Sequence, residues 1–185
     1  MRIEQTSLQD CFIVYDSFLG DARGYFFESF NKRTFRQQTG IEVEFVQDNQ
    51  SASQRGVLRG LHFQFGEYAQ AKLVRVLKGA VLDIAVDLRK SSPSFGQHVA
   101  VELSEESHTQ LYVPRGFAHG FVVLSDSATF FYKCDNFYNK SMEGGIIYND
   151  ADLGIDWQIG EEEMILSDKD KVLPRMKDIL DNLNF

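Results

Sequence analysis

Gly56-Val57-Leu58-Arg59-Gly60-Leu61-His62-Phe63-Gln64 sets a guanidinium, an imidazole and an amide into an otherwise apolar β-pattern. Burying an unpaired polar group costs about 1–3 kcal/mol. A strand that packs Leu58, Leu61 and Phe63 yet keeps Arg59 and His62 is therefore expected to line a pocket. Further on, Lys72 stands in Ala71-Lys72-Leu73-Val74-Arg75-Val76, a cation again among apolar neighbours. Histidine, with an ordinary pKa of about 6.5, can take and return a proton near neutrality. A base beside fixed cations describes a pocket for an anion on which proton transfer takes place.

Strict alternation puts His62 with Leu58, Gly60 and Gln64 on one face, and Arg59 with Leu61 and Phe63 on the other. The two polar groups share a pocket only if the strand bulges or twists between them, and Gly60 is the residue there that tolerates it. An irregularity at Gly60 is expected. A lone histidine in an apolar strand is more often a satisfied core residue; its neighbours here shift the reading towards the pocket. His119, in Pro114-Arg115-Gly116-Phe117-Ala118-His119-Gly120-Phe121, sits between glycines that allow close backbone approach, which favours a pocket wall over a surface turn. His98 and His108 lie in polar, turn-like surroundings and receive no role. Tyr132 either packs in the core with its hydroxyl at the rim or acts as a general acid near Lys72.

Asp21-Ala22-Arg23-Gly24-Tyr25-Phe26-Phe27-Glu28 and Gln47-Asp48-Asn49-Gln50-Ser51 add an arginine, a carboxylate and amides. Arginine suits bidentate contact with phosphate, and amides suit the edge of a planar base. Singly, a solvated turn explains each segment; with Arg59 and Lys72 they form a coherent set. A metal-binding barrel would need two histidines one residue apart, a following glutamate and a later histidine converging on one ion. Here Gln64 stands two after His62 and no His-x-His occurs, so no metal site is expected.

The elements that must hold these groups are strands. The 185 residues suit one domain with a substantial core, and 16 Phe and 7 Tyr against 3 Pro suit an all-β chain. Period-2 alternation predicts strands at Cys11–Leu19, Gly24–Ser29, Val43–Asn49, Val57–Gln64, Ala71–Leu77, Val81–Asp87, Gly96–Glu102, Thr109–Val113, Ala118–Leu124, Thr129–Asn136 and Gly145–Tyr148. Lys78-Gly79 reads as a tight hairpin turn and Ser125-Asp126-Ser127 as a looser one. Helix is expected at Lys32–Thr39, capped by Asn31 and ended by Gly40, and from near Pro174, where Met176, Ile179, Leu180 and Leu183 keep helical spacing. Neither repeat nor linker divides the chain. Sandwich, jelly roll and barrel fit this pattern; the aromatic load favours a jelly roll whose mouth holds a ligand. An exposed aromatic edge predicts a dimer.

A net charge of −8 lacks the basic face that nucleic acid requires. Cys11 and Cys134 make no disulfide framework, the opening Met1-Arg2-Ile3-Glu4-Gln5-Thr6 is polar, and no apolar run approaches the roughly 18 residues of a membrane span. The expectation is a cytoplasmic protein with neither nucleic-acid nor membrane partners.

Taken together, Asp21-x-Arg23-Gly24-x-Phe26-x-Glu28, Gln47-x-Asn49, Gly56 to Gln64, Lys72-Leu73-Val74-Arg75-Val76, Val86-Asp87-Leu88-Arg89, Ser92-Pro93-x-Phe95-Gly96, Pro114-x-Gly116-Phe117-Ala118-His119-Gly120-Phe121 and Tyr132-Lys133-Cys134 resemble the dTDP-4-dehydrorhamnose 3,5-epimerase family. Asn149-Asp150, Ile155-Asp156-Trp157 and Ser167-x-Lys169-Asp170 extend the resemblance over nearly the whole chain. It implies one epimerase domain over residues 1–185, a homodimeric cupin-type jelly roll (double-stranded β-helix) with short peripheral helices, and no metal or other cofactor. The implied isomerase reaction inverts dTDP-4-dehydro-6-deoxy-D-glucose at C3 and C5 to give dTDP-4-dehydro-L-rhamnose.

By the same resemblance His62 is the base, Asp170 orients it, Tyr132 is the acid on the opposite ring face, and Lys72 holds charge at the C4 oxygen. Arg23, Arg59 and Lys169 match diphosphate contacts, with His119 near the site. Glu28, Gln47, Asn49 and Glu143 match nucleotide and sugar contacts, Tyr138 matches a base-stacking aromatic, and Phe26 joins the substrate-binding set. Phe63 and Tyr112 depart slightly from the family pattern, away from this chemistry. Two alternatives stay open: an epimerase acting at one carbon, on the same or a related nucleotide 4-keto sugar, and a non-catalytic jelly roll that binds sugar nucleotides.

Overall fold

Thirteen strands and two short helices account for most of the regular structure in the computed structural model, which describes residues 1–185. In chain order the strands are β1 (Arg2–Gln5), β2 (Phe12–Tyr15), β3 (Leu19–Asp21), β4 (Gly24–Phe26), β5 (Gln47–Gln54), β6 (Leu58–Gln64), β7 (Lys72–Lys78), β8 (Ala80–Asp87), β9 (His98–Ser104), β10 (Thr109–Val113), β11 (Phe117–Val123), β12 (Ser127–Cys134) and β13 (Glu143–Gly145). The helices are α1 (Lys32–Thr39) and α2 (Met176–Ile179). One antiparallel sheet runs β1-β2-β10-β7-β12-β5 and a second runs β13-β6-β11-β8-β9. The strands β3 and β4 form a separate hairpin.

Alternation decides how the sheets pack. Val74 and Val76 of β7, Leu111 of β10 and Phe130 of β12 meet Val81 and Ala85 of β8 and Phe117 and Phe121 of β11 in one apolar cluster. The two sheets therefore face each other across a shared core, the double-stranded β-helix of a jelly roll. The outer face of the five-stranded sheet is covered by the C-terminal segment, through Ile146, Trp157, Ile179 and Leu183. Phe35 of α1 covers part of the other sheet, against Phe12, Val14, Leu73 and Tyr112. No helix is long and apolar enough to cross a membrane.

The helix α1 matches its expected bounds because its stop signals are local. The side chain of Asn31 accepts from the Thr34 N–H, and Gly40 takes a left-handed φ of 76°. Several expectations need correction: the strands expected at Cys11–Leu19 and Gly24–Ser29 end at Tyr15 and Phe26, and the C-terminal α-helix ends at Ile179. Lys78-Gly79 joins β7 to β8, but these strands lie in different sheets, so it is a crossover and not a hairpin turn. The strand expected at Val43–Asn49 begins only at Gln47, and the one expected at Gly145–Tyr148 ends at Gly145. The strand Arg2–Gln5 was not anticipated.

Candidate active site

The bulge forms where Gly60 stands. Gly60 takes a φ of 133°, and the pairing of β6 with β11 shifts register between His119 and Phe121. Leu58 and Leu61 belong to the cluster with the C-terminal segment, and Arg59 and His62 both line the same cavity, which Leu58 also borders. A Cβ on Gly60 would lie 2.5 Å from the Gly120 Cα, so this close crossing requires the glycine.

That cavity, about 620 Å³, opens between the sheets. Arg59 and His62 come from β6, Lys72 from β7, His119 from β11, Phe130 and Tyr132 from β12, Asn49 and Ser51 from β5, and Lys169 and Asp170 from the loop after Ile165. His62 Nε2 is 2.6 Å from Asp170 Oδ1. The carboxylate is buried, and its own backbone N–H donates to Ser167 Oγ at 3.1 Å. Burial works to raise the Asp170 carboxyl, but the hydrogen bond and charge of His62, Ser167 and Lys169 outweigh it and hold it below the usual range. An ionised Asp170 accepts the Nε2 proton, which leaves Nδ1 as the free basic nitrogen of His62.

Lys72 Nζ lies 5.9 Å from the Tyr132 ring centroid, and no side chain or carbonyl of the protein accepts a hydrogen bond from it. Burial pushes the Lys72 ammonium down from its ordinary range, against Cys134, Asp83 and Glu143. Burial likewise raises the Tyr132 phenol, which keeps it protonated at neutral pH and able to donate.

A polar rim surrounds the cavity. Arg59 Nε donates to Ser53 Oγ at 3.2 Å. Lys169 pairs with Glu143, and the Tyr138 hydroxyl donates to Glu143 Oε2 at 3.0 Å. The Tyr138 backbone N–H donates to Gln47 Oε1 at 3.1 Å, and Gln47 Nε2 donates to Asn49 Oδ1 at 3.0 Å. Although burial acts to raise Glu143, Lys169 and Tyr138 hold its carboxyl low. Gln47, Asn49, Tyr138, Glu143 and Lys169 thus form one connected edge, while Arg59 is held separately by Ser53.

Three expected binding residues are not part of it. Arg23 and Phe26 lie on the β3–β4 hairpin and Glu28 just beyond, all exposed and outside the cavity. Arg23 Nε donates to Asp21 Oδ2 at 3.0 Å. His119 is buried in the cavity wall, not on a surface turn. Its Nε2 lies 3.0 Å from both carboxylate oxygens of Asp83, a residue sequence reasoning passed over. The signal was present, since Val81-Leu82-Asp83-Ile84-Ala85 carries a charge amid an apolar strand, as the His62 strand does.

Comparison with known proteins agrees with this architecture. The family described as dTDP-4-dehydrorhamnose 3,5-epimerase matches residues 5–178. A dTDP-4-dehydrorhamnose 3,5-epimerase of Shigella flexneri is 52% identical over 170 residues, covering 92% of this chain and 93% of that protein. The crystal structure of such an epimerase from Elizabethkingia anophelis superposes with a TM-score of 0.94 at 56% identity, covering 96% and 97% of the two chains. A dTDP-6-deoxy-D-glucose-3,5-epimerase from Legionella pneumophila, solved in complex with dTDP-4-keto-L-rhamnose, gives a TM-score of 0.91 at 47% identity, over 95% and 93%. The chain belongs to the dTDP-4-dehydrorhamnose 3,5-epimerase family.

Proposed function

We propose that this cytoplasmic isomerase converts dTDP-4-dehydro-6-deoxy-D-glucose to dTDP-4-dehydro-L-rhamnose by inverting C3 and C5. The C4 ketone makes the protons on both neighbouring carbons weakly acidic. His62 Nδ1 removes one of them, and Asp170 stabilises the imidazolium that results. Charge moves to the C4 oxygen, where the Lys72 ammonium meets it in a site shielded from water. Tyr132 then delivers a proton to the opposite face, and the sequence repeats at the second carbon. Arg59 and Lys169 hold the diphosphate, and the rim of Gln47, Asn49, Tyr138 and Glu143 contacts nucleotide and sugar. This binding positions the sugar without joining the reaction.

The observation that carries the reading is the shared cavity of His62, Lys72 and Tyr132, with Asp170 2.6 Å behind the imidazole. Pure binding has no use for a carboxylate-backed base facing an acid. The active form is a homodimer, in which the exposed hairpin carrying Arg23 and Phe26, followed by Glu28, completes the site of the other protomer. Leu19, Tyr25 and Phe26 are 72%, 63% and 70% exposed, a patch that association would cover. Proton NMR of the substrate in D2O tests the reaction. Deuterium should enter at C3 and C5 with the wild type and at neither with His62→Asn. Exchange at one carbon makes the enzyme a single-centre epimerase, and exchange at none refutes the catalytic reading.

A further inference from the structure

We propose that Asp83 is a positioning residue of this cavity, whose buried carboxylate fixes the His119 ring and serves as the counter-charge that keeps Lys72 an ammonium. The proposal rests on the epimerase reading of the cavity. Asp83 lies in the middle of β8, with no solvent exposure, among Val81, Leu82, Ile84 and Ala85. Its only hydrogen-bond donor is His119 Nε2, 3.0 Å from each oxygen. A carboxylate so buried, with one donor, is poorly tolerated unless cations stand near it. An apolar side chain would serve the core better, so its presence calls for a job in the cavity.

The groups facing Lys72 narrow that job. From β12 come Cys134, whose thiol burial pushes up to about 11 and keeps neutral, and the protonated Tyr132. From β13 comes Glu143, already engaged by Lys169 and Tyr138. From β8 comes Asp83, hydrogen-bonded to His119, which lines the same cavity as Lys72; burial pushes the Asp83 carboxyl up, against the pull of His119 and Lys72. His119 also sits directly across from His62 in the β11–β6 pairing, so the Asp83-held ring neighbours the base. The neighbouring strands therefore carry two histidine–aspartate pairs with different tasks. His62 with Asp170 moves protons; His119 with Asp83 balances charge beneath the forming enolate. The sign follows from this placement. Removing the carboxylate weakens the hold of Lys72 on its proton, so Lys72 becomes neutral at lower pH.

Asp83→Asn and Asp83→Glu, assayed for kcat and KM across pH, test this. Expected for Asp83→Asn is a kcat at pH about 8 lowered roughly tenfold or more, KM within about threefold, and an alkaline limb moved down by about one pH unit. Asp83→Glu should return the limb towards the wild-type position. A lowered kcat with an unmoved limb in Asp83→Asn would make Asp83 merely structural and overturn the proposal, as would an unchanged kcat. Should Asp83→Asn fail to fold, the wild-type enzyme carries the test through 13C NMR of lysine ε-carbons, with Lys72 assigned by Lys72→Arg. Lys72 should remain an ammonium to at least pH about 8, and neutral Lys72 at pH 7 would overturn the proposal. Loss of the epimerase reading shows separately, as a wild type that fails to turn over the sugar while the lysine titration still reads out.

Discussion

In the proposed mechanism His62 and Tyr132 divide the inversion, because one base cannot remove a proton from one face of a ring and return it to the other. Tyr132 packs against Phe130 with its ring tilted by 50° and centroids 6.1 Å apart, and Tyr132→Phe keeps that packing while deleting the donor. The variant should therefore still wash deuterium into the substrate through His62 while product formation falls about 10²–10⁴-fold. NMR of exchange beside a coupled assay of product separates the two rates, and equal losses in both would remove Tyr132 from the acid role. At this scale the sequence was informative wherever a polar group interrupted an apolar strand, as at Arg59, His62 and Lys72. Asp170 carries no such mark. It lies in an irregular loop, in a 3-10 turn over Asp170–Val172, and only the resemblance connected it to His62.

Elements were legible where their signals are local and obscure where cavity-lining polar residues replace the apolar alternation. The strand β10 falls at Thr109–Val113 as expected, because all five of its residues are buried. The strand β5 was misplaced because Gln47-Asp48-Asn49-Gln50-Ser51-Ala52-Ser53-Gln54 has no apolar face; its half-buried positions, such as Asn49 and Ser51, line the cavity. The Gly60 crossing was foreseen from the conflict between alternation and chemistry. Gly60→Ala should push β6 off β11, destabilising the fold by about 1–3 kcal/mol and lowering kcat more than tenfold, measured by urea unfolding and turnover. Unfolding at the wild-type urea concentration would mean that the crossing accommodates a methyl group. The hairpin has its own anchor. Gln110 Nε2 donates to both Asp16 oxygens at 3.0 Å and to the Ser29 carbonyl at 2.7 Å, tying the two roots of the segment to β10. Burial pushes the Asp16 carboxyl up to about 6, against Gln110 and Arg75. A raised carboxyl favours the fold below its unfolded pKa and loses that contribution as pH rises through the folded value. Asp16→Asn should thus stabilise the protein by about 1 kcal/mol at pH 8, allowing for solvent screening at a half-buried site, with the gain fading by pH about 4. Parallel urea titrations of both proteins at the two pH values check the sign.

At the scale of the whole molecule, the question is which cavity the hairpin serves. Arg23 and Phe26 are absent from the lining of their own protomer's cavity, yet they sit with exposed Leu19 and Tyr25 on an appendage that neither large sheet covers. The strand β5 also ends its sheet with a free edge beside that cavity. Both features are resolved if two protomers exchange hairpins. In such a symmetric dimer each site draws its base from one chain and its hairpin arginine from the other. A complementation experiment distinguishes this from a hairpin that folds back on its own site. Arg23→Ala weakens phosphate contact and His62→Asn removes the base, so each homodimer should be nearly inactive at low substrate concentration. When the two variants are unfolded together and refolded, half of the dimers are mixed. Exchange of hairpins concentrates both lesions in one site of each mixed dimer and leaves the other intact, restoring about one quarter of the wild-type sites. If Arg23 serves its own chain, every site carries one lesion and mixing restores nothing.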